Sequence, residues 1–539
     1  MSRIVVPAEP SGVLGDAWRS CVGTSRMNLA LRQDYQESLA LVQQDIGFRY
    51  IRGHGLLSDD VGVHRPYDQA GYSGTRYAFT YVDQVVDTYL SLGIKPFLEL
   101  GFMPEALASG PDTVFWWKGN ITPPRDHREW AALVRAVLRH LVDRYGLEEV
   151  RTWPVEVWNE PNLVNFWKDA DQAAYFRLYE VTAAAVKDVD PSLQVGGPVL
   201  SPGADEWWEP FAEFVTSRDV PIDFTSVHAY TSGPAQHVPF GVYQTLRSPE
   251  SLLDQFAAPR KLLAGTPLAA LPLHVSEFNT SYRPDNPIHD TAYNAAYLAP
   301  VLAAGGELVD SFSYWTFCDV FEEVGVPAAF FHGGFGMLTH RQVKKPTYHL
   351  YAFMARMGQD VLARGTDHLV TRDPATGRVT VLAWQPVSGT DTAPEPERHE
   401  LHLSLPVTSA AEPAEPAEPA EPAEPAETLG QVATNSTSGA RAFVLRHDVD
   451  ESAGNAWAAW GAMGRPASPS GRQLDVLREA SEPARRAYSL PVVPTADAGR
   501  VDLDLTISRH GVTLVEIDLV RDETPPWLDD ARILGRLST

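Results

Sequence analysis

Between about residues 20 and 355 a single pattern recurs: a short apolar run ends in polar or small residues, and an amphipathic stretch follows. The apolar runs are WRSCVGT (18–24), FRYIRGHG (48–55), IKPFLELGF (94–102), WPVEVWNE (153–160), LQVGGPV (193–199), DFTSVHAY (223–230), LPLHVSEF (271–278) and DSFSYWTFCDV (310–320). Helical candidates between them include 34–45, 81–93, 127–146 and 171–189. In the third, Trp130, Leu133, Val134, Val137, Leu138 and Leu141 keep helical spacing, with Gly146 as the stop. Eight strand–helix units predict a (β/α)8 barrel. A doubly wound sheet uses the same units and stays second, because eight consecutive repeats lack a phosphate-binding turn.

A barrel carries its chemistry at the C-terminal ends of its strands. The runs end there in His54, Asn159, Glu160, His228, Tyr230, Glu277, Trp315 and Asp319. Past about residue 360 the texture becomes short alternating strands, which read as an all-β sandwich. The expected division is therefore an N-terminal segment over 1–19, a barrel over 20–358 and a sandwich over 359–539, with RIVVPAE near the N-terminus supplying one sandwich strand. Residues 411–427, AEPAEPAEPAEPAEPAE, place proline at every third position. That composition predicts a disordered, solvated surface loop.

Lys and Arg total 44 against 69 Asp and Glu, a formal net charge of −25. Such a balance disfavours nucleic acid or an anionic membrane surface as partner and leaves a neutral substrate indifferent. No run approaches the ~20 apolar residues that span a bilayer, and the first 18 residues lack the apolar core of a signal peptide. Cys21 and Cys318 alone suit a reducing cytoplasm and read as buried thiols on the first and eighth strands. No Cys/His spacing suggests zinc and no glycine-rich turn suggests a nucleotide, so the sequence implies neither metal nor cofactor. A homo-oligomer is compatible with it.

The site-bearing stretch is EVWNEPN. Strand alternation sets Glu156, Trp158 and Glu160 on one face and Val155, Val157 and Asn159 on the other, and Pro161 ends the ladder. Glu160 then sits at the strand's lip. Glu156 lies deeper and reads as a barrel-interior carboxylate paired to a basic or hydroxyl group. A second acid, Glu277, ends the seventh run among Ser276, Asn279, Thr280 and Tyr282. Two carboxylates across a barrel mouth are the arrangement glycoside hydrolysis requires.

EVWNEPN, SVHAY and HVSEFNTSY resemble the clan A glycoside hydrolases. Together with IRGHGLLSDDVGV, FLELGFMPEALASG, GNITPP, VDSFSYWTFCDVFEE and FHGGFGMLTH they resemble glycoside hydrolase family 39, over essentially the whole barrel and, less closely, the sandwich. The resemblance implies a retaining mechanism with Glu160 as general acid/base and Glu277 as nucleophile, their carboxyl groups about 5–5.5 Å apart. It implies an exo-acting β-D-xylosidase releasing xylose from short xylo-oligosaccharides. A β-glucoside, β-galactoside or α-L-arabinoside remains open, as does a non-catalytic sugar-binding barrel. The AEP repeat departs from the family pattern.

Glu160 needs a raised pKa to begin protonated near neutral pH, and the adjacent carboxylate is expected to supply part of that shift. Asn159 suits the sugar 2-OH, and His228 and Tyr230 suit orienting Glu277. His54 fits a sugar hydroxyl and Trp315 can offer its face to the ring. Of Glu322 and Glu323, both suited to ring hydroxyls, Glu323 is favoured. Trp116 and Phe166 are candidates for the pocket wall. The acidic DVFEE suits neutral hydroxyls, whereas a uronide would call for Lys or Arg at the pocket floor.

Overall fold

The computed structural model describes residues 3–239, 241–390, 395–407, 441–495, 499–520, 528 and 533–535. Eight parallel strands close in chain order into a barrel: β1 Cys21–Arg26, β2 Tyr50–His54, β3 Lys95–Leu100, β4 Pro154–Val157, β5 Gln194–Leu200, β6 Phe224–Tyr230, β7 Leu273–Asn279 and β8 Ser311–Tyr314. All eight coincide with the apolar runs. Eight helices pack outside: α1 Gln33–Asp45, α2 Thr80–Ser91, α3 His127–Tyr145, α4 Gln172–Val189, α5 Trp208–Ser217, α6 Glu250–Leu262, α7 Ala292–Ala304 and α8 Pro346–Met354.

Helix α3 shows why these segments fold as they do. The Asp126 carboxylate caps it by accepting from Arg128 N at 2.8 Å. Its stripe of Trp130, Leu133, Val134, Val137, Leu138 and Leu141 is buried, and Gly146 ends it at φ 86°, a conformation glycine adopts without strain.

The C-terminal strands form two packed sheets from β9 Asp360–Arg364, β10 His368–Arg372, β11 Val379–Trp384, β12 Arg398–Val407, β13 Arg441–Val449, β14 Ala484–Pro491, β15 Gly499–Ser508 and β16 Val512–Val520. Along β15 the buried Val501, Leu503, Leu505 and Ile507 alternate with exposed residues and meet Val370, Val381 and Val515 of the other sheet. Ile4–Val5 pairs in parallel with β12, and Gly12–Val13 pairs with β9. Between β13 and β14 the sandwich also carries two helices, Ala456–Ala462 and Gly471–Ala480. The AEP repeat at 411–427 lies outside the described residues.

Two local expectations fail for backbone reasons. Strand β4 ends at Val157, and Trp158 and Glu160 adopt left-handed conformations at φ 75° and 42°. Alternation therefore stops: Trp158 turns outward onto Trp167 and Phe102, while Asn159 and Glu160 both face the barrel mouth. Strand β8 ends at Tyr314, so Cys318 lies on the loop beyond it, bridged to Leu338. Cys21 packs on Phe97 and Phe224 in a separate cluster; both thiols are free and buried.

Candidate active site

The C-terminal mouth of the barrel opens into a cavity of about 1010 Å³. On its floor Arg52, from β2, is wholly buried among three carboxylates. Its Nε donates to Glu156 at 2.5 Å, Nη1 to Glu277 at 2.7 Å and Nη2 to Asn159 Oδ1 at 3.0 Å, with Glu99 also 3.0 Å away. Ser276 donates to the other oxygen of Glu156 at 2.7 Å. Glu156 is thus an interior carboxylate with a basic and a hydroxyl partner. Burial opposes its charge most strongly, but Arg52, His228 and the Ser226 and Ser276 hydroxyls together offset burial and hold its pKa below the usual carboxylate range.

Glu277 projects from β7 with both oxygens held, Oε1 by Arg52 and Oε2 by the Tyr230 hydroxyl at 2.8 Å. Glu160 follows β4, and its backbone N–H is anchored to the carbonyl of Val199 at 3.1 Å. Its Oε1 lies 2.8 Å from His228 Nδ1, whereas that nitrogen is 3.5 Å from Glu277. His228 therefore serves Glu160, and Tyr230 alone of the two makes a short bond to Glu277. Burial pushes His228 down to about 4, so the imidazole is neutral near pH 7.

The two glutamates are electrostatically unlike. Burial raises Glu160 to about 7, against the opposing pull of His54 and Arg52. The share of that rise expected from the neighbouring carboxylate belongs to burial instead. One oxygen of Glu160, one of Glu277 and a ring nitrogen of His228 all lie within 4.8 Å of one another. Such a close approach suits direct attack by one carboxylate better than the wider separation, roughly 6.5–9.5 Å, of inverting enzymes.

Around this pair, His54 Nδ1 bonds Glu99 at 2.6 Å, which turns Nε2 toward the cavity, 3.7 Å from Glu277 and 3.8 Å from Glu323. Burial pushes Glu323 to about 8. Glu322 points elsewhere: Arg32 holds it at 3.1 Å and Arg26 at 3.6 Å, so it is no ligand for ring hydroxyls here. Trp315 lines the cavity with its ring 4.8 Å from that of His54. It fits because β1 has glycine opposite; a Cβ on Gly23 would stand 2.4 Å from the indole.

Phe166 lines the wall, but Trp116 does not. It is 57% exposed, and its neighbour Phe115, turned inward by a left-handed backbone at φ 63°, stacks on His54 instead. Sequence reasoning missed Arg52, Glu99 and Phe115. The signal for Arg52 was an arginine inside an apolar strand, which must find buried anionic partners.

A closed (β/α)8 barrel with two buried, facing glutamates at the ends of its fourth and seventh strands is the framework of a glycoside hydrolase. The chain belongs to glycosyl hydrolases family 39, whose family model matches residues 2–501. It is 46% identical to a beta-xylosidase of Geobacillus stearothermophilus over 99% of both chains. It is 34% identical to a beta-xylosidase of Caldicellulosiruptor saccharolyticus, over 94% of this chain and 96% of the relative. Among solved structures, a monomeric beta-xylosidase from Caulobacter crescentus CB15 superposes with a TM-score of 0.80 at 31% identity, over 96% of this chain and 99% of that one.

Proposed function

We propose that the protein is an exo-acting, retaining β-D-xylosidase that releases xylose from short xylo-oligosaccharides or β-xylosides. The observation that carries this reading is the close approach of Glu160 and Glu277 in unlike environments. Glu277, its charge held by Arg52 and Tyr230, attacks the anomeric carbon. The bond to the leaving oxygen breaks as Glu160 gives that oxygen its proton. With the first product gone, Glu160 as carboxylate takes a proton from water. The water oxygen attacks the same carbon, xylose leaves with its configuration retained, and Glu277 is freed.

Other groups act on the sugar. Arg52 occupies Asn159 Oδ1, so the amide nitrogen is left to donate to the 2-OH, a contact that strengthens as charge develops. Glu323 and His54 face the remaining hydroxyls, and Trp315 offers its ring face. At neutral pH Glu323 keeps its proton and donates as well as accepts. Both relatives that match over nearly their whole length carry the name beta-xylosidase, which supports xylose as the glycone. The floor arginine is fully buried, paired with Glu99, Glu156 and Glu277, and does not line the cavity, so it is not offered to a uronate carboxylate on the sugar being cleaved.

On this reading residues 20–358 are the catalytic barrel and 359–539 the sandwich, joined by the N-terminal segment. Two free buried thiols suit a cytoplasmic setting. Among the described residues no helix is long and apolar enough to cross a membrane.

The test is hydrolysis of an aryl β-D-xyloside beside the matching β-glucoside, α-L-arabinoside and α-L-iduronide, with NMR of the first sugar released from xylobiose. The expected result is fastest turnover of the xyloside and β-xylose appearing before α-xylose. A faster competitor overturns the substrate, and α-xylose first overturns the mechanism.

A further inference from the structure

The cavity extends well beyond the glutamate pair, and its outer walls differ in charge. The wall after β3 and β4 carries Asp112, Lys168 and Asp169; the wall after β6 and β7 carries Arg247 and Arg283. Lys168 is held by Asp112 at 2.5 Å and Arg283 by Asp285 at 2.9 Å. Arg247 differs. Its guanidinium is exposed into the cavity and makes no ion pair or side-chain hydrogen bond among the described residues.

Its backbone, by contrast, is fixed. Arg247 N–H donates to Thr231 O at 3.2 Å, and Tyr297 Oη donates to Arg247 O at 2.6 Å. The preceding residue is clamped by the sandwich: Leu246 N–H donates to Thr390 Oγ1 at 2.8 Å, and Thr390 N–H returns to Leu246 O at 3.0 Å. A segment pinned from both domains thus presents an uncompensated cation at the entrance of a cavity in a chain of net charge −25. The long-range field repels anions, so a free guanidinium here provides local attraction where the substrate's departing portion must lie.

We propose that Arg247 is a specificity-determining residue that binds a carboxylate on the aglycone, as in a xylo-oligosaccharide branched with a uronic acid next to the terminal xylose. This rests on the reading of the cavity as a xylosidase site. A planar guanidinium pairs with a carboxylate through two parallel hydrogen bonds. The floor arginine is buried and paired with glutamates, so a substrate anion finds its partner at the rim and not beside the sugar being cleaved.

The test compares kcat/KM for β-1,4-xylotriose, for the same trisaccharide with glucuronic acid on its middle residue, and for the methyl ester of that branch. The full-length protein, Arg247→Gln and Arg247→Lys are each assayed. The expected result is a preference for the acid over its ester in the parent. That preference falls about ten-fold in Arg247→Gln, through KM, is partly kept in Arg247→Lys and weakens with added salt. An acid-to-ester ratio unchanged by Arg247→Gln overturns the proposal, and so does exclusion of both branched compounds by the parent. Failure to cleave unbranched xylotriose sinks the xylosidase reading instead, so the two failures are distinct.

Discussion

Arg52 Nη1 donates to Oε1 of Glu277 at 2.7 Å, from a guanidinium with no exposure to solvent. One buried cation thereby orients the proposed nucleophile, the deeper Glu156 and the amide of Asn159. Arg52→Lys offers a single nitrogen, which cannot reach partners spread over the three guanidinium nitrogens. We expect kcat/KM on an aryl xyloside to fall at least about 100-fold. Unfolding free energy should drop by about 3–5 kcal/mol, since removing one partner strands the others. Steady-state kinetics and denaturant unfolding check both; near-parent kinetics would contradict the assignment.

Glu160, the proposed general acid, must begin protonated, and burial raises it to about 7. The rate of glycosyl transfer should therefore fall as pH rises through about 7, where the proton is lost. In Glu160→Gln that limb should vanish. Turnover of a xyloside whose leaving group needs no proton should survive best, with release of the glycosyl enzyme becoming limiting.

How much of this was legible in the sequence depended on backbone regularity. All eight barrel strands were readable, because each is an apolar run closed by polar residues. The Glu160–Glu277 pair was readable because both stand at such closures. Legibility failed where the chain leaves regular φ/ψ. Left-handed Trp158 and Glu160 break the alternation that separated Asn159 from Glu160, and left-handed Phe115 puts the neighbour of Trp116 into the wall. It failed again for Arg52 and for the partner of His228. Each is defined by residues from other strands, a proximity that no single run encodes.

Buried neutral histidines give the fold an acid limit. Burial lowers His228, His274 and His289 to about 4 and His349 to about 3, all below the unfolded value near 6.5. Between those values the unfolded chain binds more protons than the folded one. Stability is therefore complete above about pH 6.5 and is lost as pH falls toward 4, at up to ~1.4 kcal/mol per pH unit for each group. Thermal melts from pH 7 to 4.5 should show a steepening fall in Tm, and a flat profile would contradict this.

Away from the glutamates, the fully buried Lys345 bridges Asp290 at 2.6 Å and Asp319 at 2.7 Å. The same two aspartates accept from the backbone of Gly333 and Gly336, which flank the cavity residue Phe335. Lys345→Met leaves two carboxylates facing each other and should cost about 3–5 kcal/mol of stability at neutral pH. Adding Asp290→Asn and Asp319→Asn should restore most of it. Denaturant unfolding of the single and triple variants is the check.

A covalent glycosyl intermediate on Glu277 can be trapped. Incubation with a 2-deoxy-2-fluoro-β-xyloside bearing a good leaving group, followed by mass spectrometry of the intact protein and its peptides, should show one added fluoroxylosyl group. That group is expected on the peptide containing Glu277. A label on Glu160, or inactivation-free turnover with no adduct, would contradict it.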